Sequence, residues 1–217
     1  MTQVETTETG LPPPFRPARP DDAPLLVELA NLAGEGLPFH LWGGCAEPGQ
    51  TAFQAGMERV QRETGGFSYR NAVVIEAALT PEAPPQLAGM LVGYRQPVPF
   101  DAGDLAELPP TIRPLIELEA EAEAAVSGAG SPGSWYVNVL AVLPAFQRRK
   151  LGQRLLELAE TTARQTGAGC MSIIVDSSNH GAFALYLRSG YHETARRPIV
   201  PWPGGPAGDW VLLLKTL

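Results

Sequence analysis

The sequence has little cysteine, little histidine and no long apolar run. It contains only two cysteines and three histidines, which excludes a disulfide framework and leaves no metal-binding spacing. No apolar run approaches the roughly 20 residues that span a bilayer, and the N-terminal MTQVETTETG lacks the basic and apolar regions of a secretory signal. We therefore expect a soluble, cytoplasmic protein without a metal ion, in which Cys45 and Cys170 are packed, unreactive side chains.

Basic residues are scarce as well. Sixteen lysines and arginines face 23 acidic residues, for a net charge of -7. This balance speaks against nucleic acid as a partner, because duplex binding needs an extended basic face. Four of the basic residues nevertheless lie within residues 147–154, namely Arg148, Arg149, Lys150 and Arg154. Such a concentration on an acidic chain suggests a site for a small anion.

The chain is long enough for one sizeable core, and no repeat or central linker indicates a second. We expect a disordered tail over 1–13, one domain over 14–217, and within it an extended insert over 97–132 that includes a helix. Apolar segments bounded by turn residues predict strands, among them a hairpin over 71–95. Two strand-to-helix units inside a mixed sheet give an α/β or α+β fold.

The basic cluster lies between a predicted buried strand, 134–144, and a helix predicted from about Leu151 to Thr166. The first N–H groups of a helix have no partner inside it, and the helix dipole adds positive charge, so such a loop can hold a phosphate. Gly152 allows close backbone approach, and an apolar face can anchor the helix: Leu151, Leu155, Leu158 and Ala159. A diphosphate site and a solvated surface turn both fit the loop. It matches neither the P-loop nor the dinucleotide-binding fingerprint.

Two motifs, each after a predicted buried strand, resemble the GNAT acyltransferase superfamily. The first family motif, V-x-P-x-x-[QR]-x-x-G-x-G-x-x-L followed by a helix, is similar to the segment with Val142, Pro144, Gln147, Lys150, Gly152 and Leu155. The second is similar to the segment with Asn179, Ala182, Leu185, Tyr186, Gly190 and Tyr191. The resemblance covers nearly the whole chain from Phe15. It implies a mixed, mostly antiparallel central sheet of about six or seven strands flanked by helices.

The resemblance also implies an N-acetyltransferase that moves an acetyl group from acetyl-CoA to a primary amine by direct attack in a ternary complex. Tyr186 would protonate the leaving thiolate, since a phenol keeps its proton at neutral pH; the alternative is an ordinary packed helix tyrosine. Asn179 would cap its helix, contact the CoA arm, or both. The other implied cofactor contacts are Leu140, Ala141 and Val142 with the pantetheine arm, Gln147, Arg148, Arg149, Lys150, Leu151, Gly152 and Gln153 with the pyrophosphate, and Ala182. The resemblance leaves the acceptor open and is compatible with a homodimer.

One position departs from the family pattern. Lys150 stands where the family loop has its first glycine. We expect Lys150 to be right-handed helical with its side chain pointing outward, because a lysine does not suit a position that requires positive φ. This departure motivates the alternative of a non-catalytic acyl-CoA-binding or regulatory module.

The general base has no clear match, although the amine must lose a proton before it attacks. Tyr136 and Asn138 share a strand face on which some relatives keep Glu or His, and neither is a convincing base. Glu76, on a neighbouring strand, is the tentative candidate, and His40, in a predicted loop, has a weaker claim. The run Glu117, Glu119, Glu121 and Glu123 is interpreted as a solvated helix face, with an acidic rim that attracts an amine as the alternative.

Overall fold

The computed structural model describes residues 10–96, 109–127 and 133–217. Most of the expected tail, and both ends of the expected insert, lie outside these residues. The described strands are β1 (Phe15–Pro17), β2 (Ala72–Ala77), β3 (Gln86–Arg95), β4 (Trp135–Val142), β5 (Cys170–Asp176), β6 (His192–Pro198) and β7 (Asp209–Thr216). The described α-helices are α1 (Ala23–Ala33), α2 (Leu37–Gly44), α3 (Ala52–Val60), α4 (Arg113–Ser127), α5 (Leu151–Gln165) and α6 (His180–Arg188).

The strands follow the order β1-β2-β3-β4-β5-β7-β6 in a seven-stranded sheet. The pairs β1/β2, β2/β3, β5/β7 and β6/β7 are antiparallel, whereas β4 and β5 run parallel. The predicted mixed, mostly antiparallel sheet with flanking helices is therefore confirmed.

Two compact units divide the chain, and β3, β4 and α5 each contribute to both. The first unit consists of residues up to 92 together with 139–156, and the second of 93–138 together with 157–217. The first unit thus contains the loop that follows β4, and the second contains α4 and α6.

In the first unit, α1 buries Leu26, Val27 and Leu29. Leu32 is 42% exposed, because α1 ends one residue later, at Ala33.

The segment predicted as a loop after α1 forms the helix α2. Gly36, with a φ of 88°, turns the chain between the two helices, and Pro38 occupies the first turn of α2, where its missing N–H costs nothing. The side chain of Asn31 accepts a hydrogen bond from the Phe39 N–H at 3.1 Å. His40 therefore lies on a helix, with its side chain exposed.

In the second unit, α4 packs on β5, β6 and β7. The helix buries Leu118 and Ala122, and Leu212 of β7 is fully buried in the sheet. Hydrophobic burial of this kind supplies most of the driving force for docking a helix onto a sheet.

The solvated-face interpretation of the α4 glutamates is wrong in part. Glu117 is exposed and pairs with Arg197 at 3.1 Å, and Glu121 also contacts Arg197. Glu119 is only partly exposed, and Glu123 is just 8% exposed. The prediction failed because residues 119 and 123 lie one helical position beyond Leu118 and Ala122, and so border the packed face.

The two cysteines differ from each other. Cys170 is half-buried, and burial raises the pKa of its thiol, as expected for an unreactive side chain. Cys45, which was expected to be packed, is exposed because it follows the last residue of α2 and lies outside the core.

Candidate functional site

In the first unit, the end of β4 lies close to β3. A Cβ atom placed on Gly89 of β3 would lie 2.7 Å from the carbonyl oxygen of Ala141, so only glycine fits there. The Leu143 N–H donates to the carbonyl of Ala88 at 2.9 Å. The backbone of residues 140–142, predicted to hold the pantetheine arm, is thus fixed by its neighbouring strand.

The loop after β4 is anchored before it reaches the basic residues. Phe146 is buried, and its backbone N–H donates to Leu143 at 2.8 Å to close a short 3-10 turn. The side chain of Gln147 donates to the Val142 carbonyl at 3.2 Å. These contacts hold residues 142–147 in place, directly before the basic residues.

Lys150 does not have the expected right-handed conformation. Its φ is 61°, that of Arg148 is 63°, and Arg149 between them has no positive φ. Lys150 therefore carries the strain of a side chain in the left-handed region, roughly 1–2 kcal/mol. Alternating handedness of this kind turns successive N–H groups toward a common point and forms an anion-binding concavity.

The start of α5 continues this concavity. The carbonyl of Lys150 accepts the hydrogen bond of the Arg154 N–H at 3.1 Å, so the helix begins directly after the basic run. The predicted apolar face is confirmed, because Leu151, Leu155, Leu158 and Ala159 are all buried. The helix start therefore presents N–H groups and positive dipole charge next to the turn.

The three consecutive basic side chains have different surroundings. Arg149 donates to the carbonyls of Ala78 and Leu79 at 2.8 and 3.1 Å, and its guanidinium lies 5.5 Å from the centre of the Phe146 ring. Arg148 and Lys150 are exposed. Arg149 therefore ties the loop to the segment that follows β2.

Glu76, the tentative base, lies on β2 in the first unit and has a cationic partner. Its carboxylate accepts from Arg16 Nε at 2.7 Å, and the same guanidinium bonds Asp22 at 2.7 and 3.0 Å. The two carboxylates raise the pKa of Arg16, so the guanidinium keeps its charge.

In the second unit, hydrogen bonds hold the chain between β5 and α6 in a fixed shape. The buried Asp176 accepts from the Ser178 N–H and the Ser178 hydroxyl, both at 2.8 Å. Asn179 caps α6 through its side-chain oxygen, which accepts from the Ala182 N–H at 3.1 Å. The predicted capping role of Asn179 is confirmed.

Tyr186 is 4% exposed and lies on α6, with its ring centre 6.0 Å from that of Tyr191. Burial raises the pKa of Tyr186, because an apolar environment disfavours the phenolate. Its hydroxyl therefore remains protonated at neutral pH and is chemically suited to donate a proton.

A polar cluster that the sequence did not predict lies in the same unit and joins α4 to β3 and β4. The side chain of Gln96 donates to Glu119 at 3.1 Å, and the Tyr136 hydroxyl also hydrogen-bonds Glu119. The rings of Tyr94 and Tyr136 meet edge to face, with centres 6.0 Å apart. We call Tyr94, Gln96, Glu119 and Tyr136 the Glu119 cluster.

Glu119 has an unusual proton affinity. Desolvation raises its pKa above the ordinary value, hydrogen bonds from Gln96 and Tyr136 oppose this shift, and the nearby Glu123 adds to it. The pKa of Tyr136 is raised mainly by desolvation, with smaller contributions that include the charges of Glu119 and Tyr186. No short-range sequence signal could have revealed this cluster, because its members are far apart along the chain.

Glu123 has different contacts, although it is one turn from Glu119. It accepts hydrogen bonds from the Ser134 N–H at 3.0 Å and from the Ser134 hydroxyl at 2.7 Å. The Ser134 and Ser172 hydroxyls lie 2.8 Å apart. Glu123 thus joins α4 to two buried strands.

Residues 10–96, 109–127 and 133–217 contain no group of three or more His, Cys, Asp or Glu side chains placed to hold a metal ion. Within the same ranges, no helix has the length and apolar character needed to cross a membrane.

Comparison with known proteins gives a family match. Residues 80–191 match the model of the acetyltransferase (GNAT) family. This stretch is just over half of the chain and includes both motifs.

Two characterised relatives match shorter stretches. The tRNA(Met) cytidine acetyltransferase TmcA of Aeropyrum pernix is 37% identical over 83 residues, which are 35% of this chain and 11% of that protein. The aminoalkylphosphonate N-acetyltransferase of Salmonella typhimurium is 36% identical over 58 residues, 27% of this chain and 38% of that protein. The chain thus aligns with well under two thirds of either relative.

A solved structure extends the similarity of fold to most of the chain. The structure of yncA from Salmonella typhimurium with its cofactor acetyl-CoA has a TM-score of 0.54 at 17% identity, and covers 94% of this chain and 92% of that one. At this identity the similarity concerns the fold alone.

Proposed function

Because the chain belongs to the acetyltransferase (GNAT) family, we propose that it is an N-acetyltransferase that moves an acetyl group from acetyl-CoA to a primary amine. The observation that carries the proposal is the turn at 147–150. The sequence departs from the family glycine there, yet Lys150 keeps a positive φ of 61° and α5 begins at Leu151. A turn of this handedness at the start of a helix supports the proposal of a bound diphosphate.

The residues of the turn fit the pyrophosphate of CoA. N–H groups from Gln147 to Gln153 receive its oxygens, since a helix start and a turn of alternating handedness favour bound anions. Arg148 and Lys150 add positive charge from exposed positions, and Arg149 holds the turn in place through Ala78 and Leu79. The backbone of residues 140–142 holds the pantetheine arm and the thioester, and Asn179 and Ala182 complete the cofactor contacts.

The chemical step is direct transfer in a ternary complex. The neutral amine attacks the thioester carbonyl carbon, the carbon–sulfur bond breaks, and Tyr186 gives its proton to the departing thiolate. Such a donor must be protonated when the thiolate leaves, and the buried Tyr186, with its raised pKa, meets that requirement. The amine must first lose a proton, for which Glu76 is one candidate acceptor.

The reaction requires neither a membrane nor a nucleic acid, and all the groups assigned to it come from this chain. Low cysteine usage favours a reducing compartment, and we propose that the enzyme acts in the cytoplasm, as a monomer or a homodimer. The acceptor is a primary amine of unspecified class. The aminoalkylphosphonate acetyltransferase relative makes a small aminoalkyl compound one suitable first probe.

A non-catalytic acyl-CoA-binding module is the alternative function. It was motivated by Lys150 and by the lack of an obvious base. The conformation of Lys150 removes the first reason, because the turn keeps its left-handed residue.

The test is a thiol-release assay with acetyl-CoA over a panel of aminoethylphosphonate, agmatine, phenethylamine, a peptide with a free N-terminus and a lysine-containing peptide. We expect release with at least one amine, and the acetylated product by mass spectrometry. Acetyl-CoA binding without release across the panel would favour the non-catalytic module. Equal affinity for ADP and CoA would instead indicate a site for phosphate alone.

A further inference from the structure

The acceptor amine needs a proton acceptor, and the described residues offer two contrasting carboxylates for this role. Glu76 is held at 2.7 Å by Arg16, a cation that the neighbouring Asp22 helps to fix. Glu119 has no cation among its described partners, which are the amide of Gln96 and the phenol of Tyr136.

The position of Glu119 is set by tertiary structure. Helix α4 places Glu119 beside the Leu118 and Ala122 face that packs on the sheet, and its carboxylate lies next to β3 and β4. The two hydrogen bonds restrict its side chain to one arrangement. The Tyr94 ring contacts the Tyr136 ring edge to face and so supports the Tyr136 side chain.

The Glu119 cluster is connected to the proposed proton donor. Tyr136 interacts with Glu119 through a hydrogen bond and with Tyr186 through space, and all three belong to the second unit. Tyr136 thus interacts both with the carboxylate of Glu119 and with the phenol that donates the proton in the proposed reaction. Amine acetylation needs one proton acceptor and one proton donor, and these two groups share Tyr136 as a neighbour.

We propose that Glu119 is the general base, which takes the proton of the acceptor ammonium while Tyr136 and Gln96 hold its carboxylate in place. This inference rests on the proposed acetyltransferase function. It also takes the acceptor to arrive as an ammonium, since only a protonated amine has a proton for the carboxylate to remove.

The proton balance is complete. Glu119 takes one proton from the ammonium, the neutral nitrogen bonds to the carbonyl carbon, and the carbon–sulfur bond breaks. Tyr186 protonates the thiolate and regains a proton from the nitrogen, directly or through solvent. Glu119 then releases its proton to solvent, so each turnover yields an amide, a free thiol and one proton.

The groups that govern the protonation of Glu119 come from three elements. Tyr136 on β4, Gln96 just after β3 and Glu123 on α4 act on it, and the Glu119 charge in turn raises the pKa of Tyr94 on β3. Arg197 on β6 is occupied by Glu117 and Glu121 on the same helix. Because Glu119 has a raised pKa, kcat/KM should rise with pH through a value above the usual glutamate range.

The experiment compares Glu119→Gln with two matched controls in the full chain, using acetyl-CoA and the most active amine of the panel above. Glu117→Gln removes an exposed carboxylate of the same helix, and Glu76→Gln tests the other candidate. Acetyl-CoA affinity and thermal melting verify that each variant is folded. We expect kcat/KM to fall by about 100-fold or more in Glu119→Gln alone, with acetyl-CoA affinity unchanged.

Tyr136→Phe provides a second test, whose expected result does not follow if the role of Glu119 is purely structural. It removes a hydrogen bond that stabilises the carboxylate, so the acidic limb of the kcat/KM profile should move to higher pH. An unmoved limb would overturn the proposal. So would a loss below about tenfold in Glu119→Gln, or an equal loss in Glu76→Gln. If the wild-type protein releases no thiol with any amine, the proposed function fails and this inference fails with it.

Discussion

Replacement of Lys150 by glycine should leave the protein as stable as before or make it more stable, although glycine usually weakens a fold. Lys150 has a φ of 61°, and a side chain in this region costs roughly 1–2 kcal/mol that glycine does not pay. Glycine also increases the entropy of the unfolded chain, which costs roughly 0.4–1 kcal/mol. The difference predicts a gain of between zero and about 1.5 kcal/mol in the free energy of unfolding.

Denaturant unfolding, followed by the fluorescence of the four tryptophans, measures this change. A gain of 1 kcal/mol corresponds to a rise of about 2–4 °C in Tm for a chain of this size. Glu28→Gly is the matched control, because Glu28 is exposed in the middle of α1 and glycine there should cost about 1 kcal/mol. Lys150→Val should be the least stable variant, since a β-branched residue fits poorly at positive φ. A loss for Lys150→Gly as large as that for Glu28→Gly would refute the assigned backbone conformation.

Three further predictions concern buried or paired groups. Asp22 is partly buried, yet hydrogen bonds from Arg16 and the Arg19 backbone hold its pKa below the usual value. The wild-type protein should therefore be more stable than Asp22→Asn above about pH 4, and should lose that advantage as pH falls through the pKa of Asp22 in the folded state. Urea unfolding at a series of pH values measures this difference. Glu119 has a raised pKa, so its ionised carboxylate destabilises the fold. The stability of Glu119→Gln relative to wild type should therefore increase as pH rises from the usual glutamate pKa to the higher pKa of Glu119 in the folded state. A difference that does not change with pH would contradict this. The Trp210 indole N–H is buried and has no hydrogen-bond partner within the described parts of the chain. Trp210→Phe should therefore lower the free energy of unfolding by less than about 2 kcal/mol, because removal of an unsatisfied donor offsets lost packing. A loss above about 3 kcal/mol, the range of Trp→Ala changes, would contradict this.

Periodic patterns in the sequence predicted the parts of the fold that depend on neighbouring residues. The apolar positions Leu151, Leu155, Leu158 and Ala159 of α5 are buried as predicted. Asn179 caps α6 as its place in the motif indicated. Each of these features depends on side chains within about four positions of one another, so local sequence contains the information.

The features that the sequence did not reveal depend on distant contacts or on the backbone. Glu76 meets Arg16 across 60 positions, and Gln96 meets Glu119 across 23. Neither pair has a local signal, so sequence patterns reveal neither the cation beside Glu76 nor the partly buried position of Glu119. The predicted right-handed conformation of Lys150 is wrong for another reason. Local preference favours that conformation for lysine, whereas tertiary structure imposes a left-handed one.

The central claim is that this chain transfers an acetyl group, with Tyr186 as the proton donor. The most direct measurement is single-turnover thiol release from acetyl-CoA with the most active amine of the panel, for wild type and for Tyr186→Phe at equal acetyl-CoA occupancy. The account predicts release by wild type and a rate at least about 100-fold lower in the variant, since the phenylalanine ring fills the same space but has no proton to donate. Equal rates for the two proteins, or no release by wild type when acetyl-CoA is bound, would contradict it.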